Sequence, residues 1–218
     1  MPDPGKSLKL CYNIMYKLYG PQHWWPAKTA FEVIIGAMLT QNTSWKNVEK
    51  AIANLRKNNK LTPKQLRDID KNKLALLIKP CGYYNIKARR LKNFIDFLFK
   101  NYNGSLNKFF ALPTGKIRHE LLSVNGIGPE TADSILLYAA KRPVFVVDAY
   151  TKRLLVRQGL IKEDAGYEQI QRLFEGSLPK SIKLFNEYHA LIVRHGKDVC
   201  KKAPKCQICA LHSGCKRK

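Results

Sequence analysis

The sequence predicts an all-α fold, and three observations support this prediction. Apolar residues recur at helical spacing along most of the 218 residues, as on the buried face of an amphipathic helix. No segment keeps up the apolar–polar alternation that predicts a half-buried β-strand. Apolar residues make up 45% of the chain, which is enough for a folded core. The length allows one domain or two small lobes.

The predicted helices follow one another with short loops. The first, 7–19, ends before Trp24-Trp25-Pro26, and the second, 29–40, begins with Thr29 as its cap and is strongly apolar. The run Val144–Val147 is β-branched but short, and we interpret it as a buried extended connector. The other predicted helices are 46–57, 63–68, 71–78, 85–102, 107–112, 116–123, 130–140, 149–158, 165–174 and 181–195.

The net charge predicts a polyanionic partner. The chain has 39 Lys and Arg against 16 Asp and Glu, which gives +23. Nucleic acid explains this excess best, because each neutralised phosphate releases counterions. Solubility or a basic cell interior is the alternative explanation. A membrane surface is a weaker one, because no apolar run approaches the ~20 residues that span a bilayer, and the polar start Met1–Lys6 does not resemble a secretory signal.

Six cysteines are unevenly distributed along the chain. Cys11 and Cys81 are expected to be ordinary core residues. The other four crowd near the end of the chain, at Cys200, Cys206, Cys209 and Cys215. A secreted disulfide protein would usually spread its cysteines, so we expect a metal or cluster site in a reducing cytosol or nucleus. Four thiolates could bind tetrahedral zinc or a [4Fe-4S] cluster, and the spacing alone does not distinguish the two.

A glycine turn and a downstream acid are the strongest candidate functional features. Asn125–Pro129 joins two predicted helices, and its glycines Gly126 and Gly128 permit positive φ and close backbone approach. The helix that follows directs its free N–H groups toward the turn, which makes an anion site suited to a DNA phosphate. A plain helix–helix turn is the alternative. Asp148 precedes the predicted helix 149–158, either as a simple N-cap or as a partly desolvated carboxylate facing a DNA-binding groove.

The block 121–153 resembles the helix-hairpin-helix and Gly/Pro-Asp loop of the endonuclease III superfamily of DNA glycosylases. The resemblance rests on Gly126-Ile127-Gly128 and Val146-Val147-Asp148, and it extends from about Phe31 to Cys215, including 39–43 and 82–88. It implies a two-lobed fold with a DNA-binding cleft between the lobes. Residues 29–143 would form a six-helix barrel carrying the hairpin 125–129. Residues 1–28 and 144–218 would form an iron–sulfur domain with the cluster loop 200–215.

The resemblance also implies roles for individual residues. Asp148 would be the catalytic acid, and the four cysteines would hold a [4Fe-4S] cluster in preference to zinc, although the family usually has six residues between the first two cysteines and this chain has five. Gln41 and Tyr83 match the family's wedge positions. The expected DNA contacts are Gln41, Asn42, Tyr83, Gly126, Ile127, Gly128, Thr131, Lys197, Lys201 and Lys202. The expected partner is double-stranded DNA containing a damaged base, bound by a monomeric, cytoplasmic, nucleoid-associated prokaryotic protein.

Glu130 predicts a monofunctional enzyme. Bifunctional members of the family carry a lysine two residues after the second hairpin glycine, where its amine forms a Schiff base with the sugar. In this chain Glu130 occupies that position, and a carboxylate cannot form a Schiff base. Stabilisation of the first helical turn is the structural alternative for Glu130. We therefore expect hydrolysis of the N-glycosidic bond of a flipped base without strand cleavage.

The aromatic residues favour an alkylated purine, such as 3-methyladenine, as the substrate base. An indole face attracts a cationic ring by roughly 0.5–2 kcal/mol, although packing is the commoner role of tryptophan. The predicted base pocket comprises Trp24, Trp25, Pro26, Trp45, Glu130 and Tyr150. This set, together with Gly82-Tyr83-Tyr84-Asn85, resembles the 3-methyladenine glycosylase branch, members of which can lack the cluster. The alternatives are a bifunctional endonuclease III-like glycosylase/lyase for oxidised pyrimidines, a mismatch glycosylase, and a non-catalytic DNA-binding damage sensor.

Overall fold

A computed structural model describes residues 3–216 and confirms the all-α prediction, with no β-strand in that range. Within it we number the helices in chain order: α1 Pro4–Tyr19, α2 Ala30–Leu39, α3 Trp45–Lys57, α4 Pro63–Asp68, α5 Lys71–Leu77, α6 Tyr84–Tyr102, α7 Leu106–Phe110, α8 Thr114–Ser123, α9 Pro129–Ser134, α10 Ala149–Arg157, α11 Tyr167–Ser177 and α12 Ile182–Asp198. Short 3-10 turns cover Lys79–Cys81, Cys206–Ile208 and His212–Gly214. None of the helices in residues 3–216 combines the length and apolar character needed to span a bilayer.

The helix ends follow their capping residues. Thr29 accepts a hydrogen bond from the Glu32 amide at the start of α2, as expected for an N-cap. The predicted helix 130–140 differs from the prediction, because α9 continues after Ser134 as a π-helix over Ile135–Ala139. There the Ala140 amide donates to the Ile135 carbonyl five residues back, which widens the turn.

The extended connector Val144–Val147 is buried, as predicted, and it forms no strand. Side chains of α11 satisfy its backbone: the Phe145 amide donates to Glu175 Oε1 at 2.9 Å, and the Phe145 carbonyl accepts from Gln171 Nε2 at 2.8 Å. Buried backbone polar groups need such partners. The connector can therefore cross the core and place Asp148 at the start of α10.

The chain divides into two compact units. Residues Ala27–Arg142 form one unit, and Met1–Pro26 together with Pro143–Lys218 form the other. The boundaries expected from the sequence, 28/29 and 143/144, lie one or two residues from these. We describe each unit separately, as the hairpin unit (Ala27–Arg142) and the cysteine-loop unit (Met1–Pro26 and Pro143–Lys218).

The hairpin unit contains α2 to α9, packed around α2. Helix α2 is buried from Phe31 to Leu39, with Ile34, Ile35 and Leu39 fully enclosed. It contacts α3, α6 and the π-helix. The unit has more helical segments than the expected six-helix body, partly because α4 and α7 are separate helices of six and five residues.

The cysteine-loop unit contains α1 and α10 to α12 around an aromatic core. The rings of Phe145 and Phe174 stack with centroids 3.6 Å apart, and Phe185 and Tyr188 meet Phe145 edge-on. The Tyr188 hydroxyl donates to the Leu8 carbonyl at 2.7 Å, which fixes α1 on α12. This core holds the segment that precedes α10.

Candidate functional site

The hairpin between α8 and α9 requires glycine at position 126. Gly126 has φ +103°, a conformation that side chains with a Cβ rarely adopt. A Cβ there would also lie 2.3 Å from Arg90 Cγ, because the Arg90 side chain passes directly against the turn. Ile127 is buried, so any DNA contact at this residue must involve its backbone. The turn therefore combines a special backbone conformation with an unusually close neighbour.

Gly128 does not use the positive φ that glycine permits. It has φ −98° and ψ 179°, which is extended backbone open to any residue. Apart from its two chain neighbours, no residue has a heavy atom within 4 Å of the place where a Cβ of Gly128 would be. Gly128 is the N-cap of α9 without a side-chain cap bond, and Glu130 lies exposed in the first turn. The start of α9 is thus open to an approaching group.

The Gln41 side chain braces the hairpin. Its Nε2 donates to the Gly126 carbonyl and to Thr131 Oγ1, both at 3.0 Å. Its Oε1 accepts from Arg90 Nη1. A wedge role for Gln41 would require breaking these bonds. Thr131 is only 6% exposed, so the structure does not support the expected DNA contact by its side chain.

Two neighbouring residues are better placed to reach outward. Tyr83 is 70% exposed and has φ +45°, immediately after Gly82 at φ +64°. Asn42 is exposed and has φ +53°. Left-handed backbone is unusual for residues other than glycine, and it often marks functional loops. Tyr83 fits the predicted wedge role, which stays a prediction.

Asp148 has its two carboxylate oxygens in different environments. It caps α10, and Oδ1 accepts from the Thr151 amide at 2.7 Å and from Thr151 Oγ1 at 2.9 Å. Oδ2 lies 3.6 Å from Nε2 of the buried His189. The side chain is 12% exposed. The N-cap interpretation is therefore right for one oxygen, while the other is oriented by His189, a residue that the sequence analysis missed.

Asp148 is ionised at neutral pH. Burial by itself would raise the pKa of this carboxyl group, but interactions with His189 and hydrogen bonds from Thr151 outweigh it and hold the pKa below the usual aspartate range. A buried carboxylate with a fixed orientation can stabilise positive charge that develops beside it.

The residues of the predicted base pocket fall into both units. Trp24 and Trp25 lie together, with ring centroids 5.8 Å apart and an edge-on arrangement. The Lys197 ammonium lies 5.8 Å from the Trp24 ring centroid, so a protein cation already approaches that face. Pro26 is exposed next to them. Tyr150 packs against Gly196, where an added Cβ would come within 2.5 Å of its ring.

The other two residues of that pocket, Trp45 and Glu130, belong to the hairpin unit. The Trp45 indole donates to Glu49 Oε1 at 2.9 Å, one turn further along α3. This contact orients Trp45 along its own helix. Trp24, Trp25 and Pro26 therefore lie together. Trp45 and Tyr150 each contact another residue of their own unit, Glu49 and Gly196.

The four clustered cysteines line one cavity, together with the apolar residues Leu154, Val199 and Pro204. Arg157 Nη1 donates to Cys200 Sγ at 3.1 Å, and His195 Nε2 lies 3.6 Å from Cys209 Sγ. Burial raises the pKa of the Cys209 thiol, and the other three cysteines add to this effect. Within residues 3–216, no three His, Cys, Asp or Glu side chains are grouped as ligands of a single metal ion. Four soft donors around one partly apolar cavity nevertheless match the ligand chemistry of an iron–sulfur cluster.

Two arginines of α10 that were not predicted from the sequence hold the cysteine loop. Arg157 is buried and donates to the carbonyls of Lys201 at 2.7 Å and Lys202 at 3.1 Å. One turn earlier, Arg153 donates to the Cys200 carbonyl at 2.8 Å. The side chains of Lys197, Lys201 and Lys202 stay exposed, as a phosphate-binding role requires.

The fold and the sequence define the class of protein. The model of the HhH-GPD superfamily of base excision DNA repair proteins matches residues 35–180. The chain belongs to this superfamily, and it is a base excision DNA glycosylase of that type.

Individual relatives are similar over nearly the whole chain. A Methanocaldococcus jannaschii protein, provisionally named a DNA repair glycosylase, is 50% identical over 208 residues, covering 94% of this chain and 93% of its own. Endonuclease III of Sulfolobus acidocaldarius is 28% identical over 191 residues, covering 87% and 82%. The structure of an H. pylori 3-methyladenine DNA glycosylase bound to 1,N6-ethenoadenine is 31% identical, with a TM-score of 0.77, covering 89% and 97%.

Substitution of the two hairpin glycines should separate the effect of backbone conformation on stability from the effect of the hairpin's DNA contact on binding. We expect Gly126→Ala to lower the free energy of unfolding by at least about 1–2 kcal/mol, from backbone strain and displacement of Arg90. Gly128→Ala should unfold like the wild type but bind duplex DNA more weakly, because its Cβ occupies the open space before α9. Urea unfolding and fluorescence anisotropy measure the two effects. Wild-type stability of Gly126→Ala would contradict the assignment.

Proposed function

We propose that this chain is a monofunctional glycosylase that removes an alkylated purine, such as 3-methyladenine, from double-stranded DNA and leaves an abasic site. The observation that carries the proposal is Asp148: an ionised, largely buried carboxylate, fixed through Oδ1 and oriented through Oδ2. Cleavage of an N-glycosidic bond develops positive charge on the deoxyribose. Such a carboxylate stabilises that charge or positions the attacking water.

The hairpin supplies the hold on DNA. The open backbone at Gly128 and the start of α9 offers amides to a phosphate, and Gln41 and Arg90 keep the turn in shape. Tyr83 and Asn42, exposed on left-handed backbone, enter the duplex or contact the orphan partner base. The exposed lysines at 197, 201 and 202 add phosphate contacts.

Glu130 is the basis for proposing a single chemical step. It replaces the lysine of bifunctional relatives with an exposed carboxylate in the first turn of α9. No amine is available from that position for a Schiff base with the sugar. The reaction therefore ends when the base is released by hydrolysis.

The alkylated-purine preference rests on two observations. Trp24 and Trp25 form an edge-on pair, and an indole face attracts a cationic alkylated ring. Because Lys197 already approaches Trp24, Trp25 is the better candidate for stacking on the base. The H. pylori structure, 31% identical to this chain, is a 3-methyladenine glycosylase with ethenoadenine bound. Both bases are modified purines.

The four cysteines are proposed to bind a [4Fe-4S] cluster through Cys200, Cys206, Cys209 and Cys215. They share one partly apolar cavity, and Arg157 donates to one of the sulfur atoms. When bound, the cluster cross-links the loop and keeps its lysines presented to phosphate. This chain's own residues perform the chemistry on the base.

A second candidate is a glycosylase/lyase of endonuclease III type for oxidised pyrimidines. Endonuclease III relatives at 28% identity, covering most of both chains, favour it. Glu130 opposes it, since this second activity needs an amine where the chain has a carboxylate. The two candidates differ in the base released and in strand cleavage.

Paired substitutions of Asp148 test its catalytic role. Asp148→Asn keeps an N-cap for α10 but loses the charge, so we expect base release to fall roughly 100- to 10,000-fold with unchanged DNA binding. Asp148→Ala should lose the same activity and a further ~1 kcal/mol of stability through the missing cap. Single-turnover kinetics, anisotropy and urea unfolding give the three readouts. Base release by Asp148→Asn at the wild-type rate would refute the role.

A panel of duplexes, each with one lesion, tests substrate and strand cleavage together. We expect free base from alkylated purines, strand breaks only after hot alkali, and no covalent adduct with borohydride. Glu130→Lys should produce a borohydride-trapped adduct, because it restores an amine at the position of the missing lysine. Release of oxidised pyrimidines with wild-type trapping would favour the second candidate, and the absence of any base release would favour a damage sensor.

The iron–sulfur proposal predicts a brown protein with broad visible absorbance. Arg157→Met should lose iron faster than the wild type, because Arg157 holds Cys200 Sγ and two loop carbonyls. Lys152→Met is a matched control, since Lys152 lies on the same helix and donates to the Ala165 carbonyl instead. Iron content and absorbance over time are the measurements. A colourless protein with stoichiometric zinc would refute the cluster, and equal iron loss in both variants would refute the role of Arg157.

A further inference from the structure

Lys87 is a buried cation at the centre of the hairpin unit. It is 3% exposed and lies in the first turns of α6. Its Nζ donates to the Leu39 carbonyl at 3.0 Å and to the Cys81 carbonyl at 2.8 Å. Burial lowers the pKa of this ammonium group. A buried lysine is costly unless its donors are satisfied, so these two bonds account for its place in the core.

The two acceptor carbonyls lie directly before two loops that each carry an exposed residue, Asn42 in one and Tyr83 in the other. Leu39 is the final residue of α2 and is followed by the loop 40–43, which contains Gln41 and Asn42. Cys81 ends a 3-10 turn and is followed by Gly82 and Tyr83. Asn42 and Tyr83 both have left-handed backbone. One ammonium group therefore binds the backbone at the start of both loops that carry the proposed wedge residues.

Two further residues on α6 hold neighbouring parts of the same surface. Arg90, three residues after Lys87, donates to Gln41 Oε1 and passes against Gly126. Asn93, three residues later, donates through Nδ2 to the Asn125 carbonyl at 3.1 Å. Residues spaced in this way lie near one face of a helix, on successive turns. Lys87, Arg90 and Asn93 thus fix both loops and the hairpin along one helix.

We propose that Lys87 is a positioning residue that sets the loops 40–43 and 81–83 at the spacing needed to open a paired lesion. This inference rests on the proposed glycosylase function. Lys87 does not touch the substrate. It holds the backbone from which Asn42 and Tyr83 extend, and a misplacement of about 1 Å far from the reacting atoms can cost on the order of 100-fold in rate.

Lys92 provides an internal control with the same chemistry. It lies on α6, and its Nζ donates to the carbonyls of Leu66 at 2.9 Å, Arg67 at 2.8 Å and Ile69. Those carbonyls belong to the end of α4 and not to either loop. Loss of Lys92 therefore removes a similar set of lysine-to-carbonyl bonds from the same unit without releasing Asn42 or Tyr83.

The test compares Lys87→Met with Lys92→Met on two matched substrates. One duplex carries the lesion opposite a normal base, and the other carries it opposite an abasic gap, where no partner base has to be replaced. We expect Lys87→Met to slow base release from the first on the order of 100-fold, with a much smaller effect on the second. Lys92→Met should leave both rates near wild type. Urea unfolding compares the stability of the two variants.

The outcomes separate positioning from general destabilisation. Equal slowing on both substrates, or the same pattern in Lys92→Met, would overturn the proposal. If Lys87→Met does not fold, Lys87→Arg takes its place, because it keeps a charged donor with altered reach. Lys87→Arg should show the same substrate dependence with a smaller amplitude. Wild-type rates on both substrates would also overturn the proposal.

Binding measurements keep the test independent of catalysis. A duplex with a tetrahydrofuran abasic analogue presents a gap that the wedge residues can fill, whereas an undamaged duplex does not. Lys87→Met should lose the wild-type preference for the first duplex while keeping its affinity for the second. If the wild type releases no base but shows this preference, and Lys87→Met loses it, the proposed function fails and the positioning role stands. If Lys87→Met retains the preference, the positioning role fails.

Discussion

The close approach of Arg90 to Gly126 is the constraint on which the hairpin unit depends. The aliphatic part of Arg90 fills the space that a Cβ at position 126 would need. Its guanidinium reaches Gln41, and Gln41 in turn binds the Gly126 carbonyl. Each of these three groups is held by the other two. The shape of the hairpin is therefore set by side chains from two other segments, and not by its glycines alone.

Helix α10 has a similar organising role in the cysteine-loop unit. Asp148 caps its N-terminus and is oriented by His189 from α12. Arg153 and Arg157 follow on later turns and bind the backbone of the cysteine loop. A helix of nine residues thus carries the proposed catalytic carboxylate at one end and supports the loop along its length. Any shift of α10 would disturb both.

Local sequence patterns predicted much of this molecule. Helix positions, the buried connector before Asp148 and the four-cysteine loop all depend on residues close together in sequence, where spacing and capping rules apply. The glycine pattern was less informative, because it could not show that Gly126, and not Gly128, is the hairpin glycine with positive φ. The base-pocket prediction was limited because local spacing does not show contacts between distant segments. Tyr150 packs on Gly196, which lies on α12.

Contacts between distant segments could not be predicted from spacing. Gln41 donates hydrogen bonds to Gly126 and Thr131, which lie 85 and 90 positions further along the chain. Arg157 donates to Cys200, which lies 43 positions further along. His189 lies on α12, far along the chain from Asp148. In each case the residue type is ordinary for a protein surface, and only the tertiary fold gives it a partner. The sequence therefore identified the reactive groups better than the groups that hold them.

The high positive charge has two origins that composition cannot separate. Part of it is exposed, as at Lys197, Lys201 and Lys202, and is available to phosphate. The other part lies on side chains that donate hydrogen bonds to backbone carbonyls at the ends of helices and loops. These side chains are Lys87, Lys92, Arg142, Arg153 and Arg157.

Cations used in this way stabilise irregular backbone, because lysine and arginine offer several donors to carbonyls that no helix satisfies. The same residues can therefore fix the loops of a DNA-binding protein and contribute to the positive field that attracts its polyanionic partner. A net charge of +23 is thus partly a consequence of how these loops are held in place.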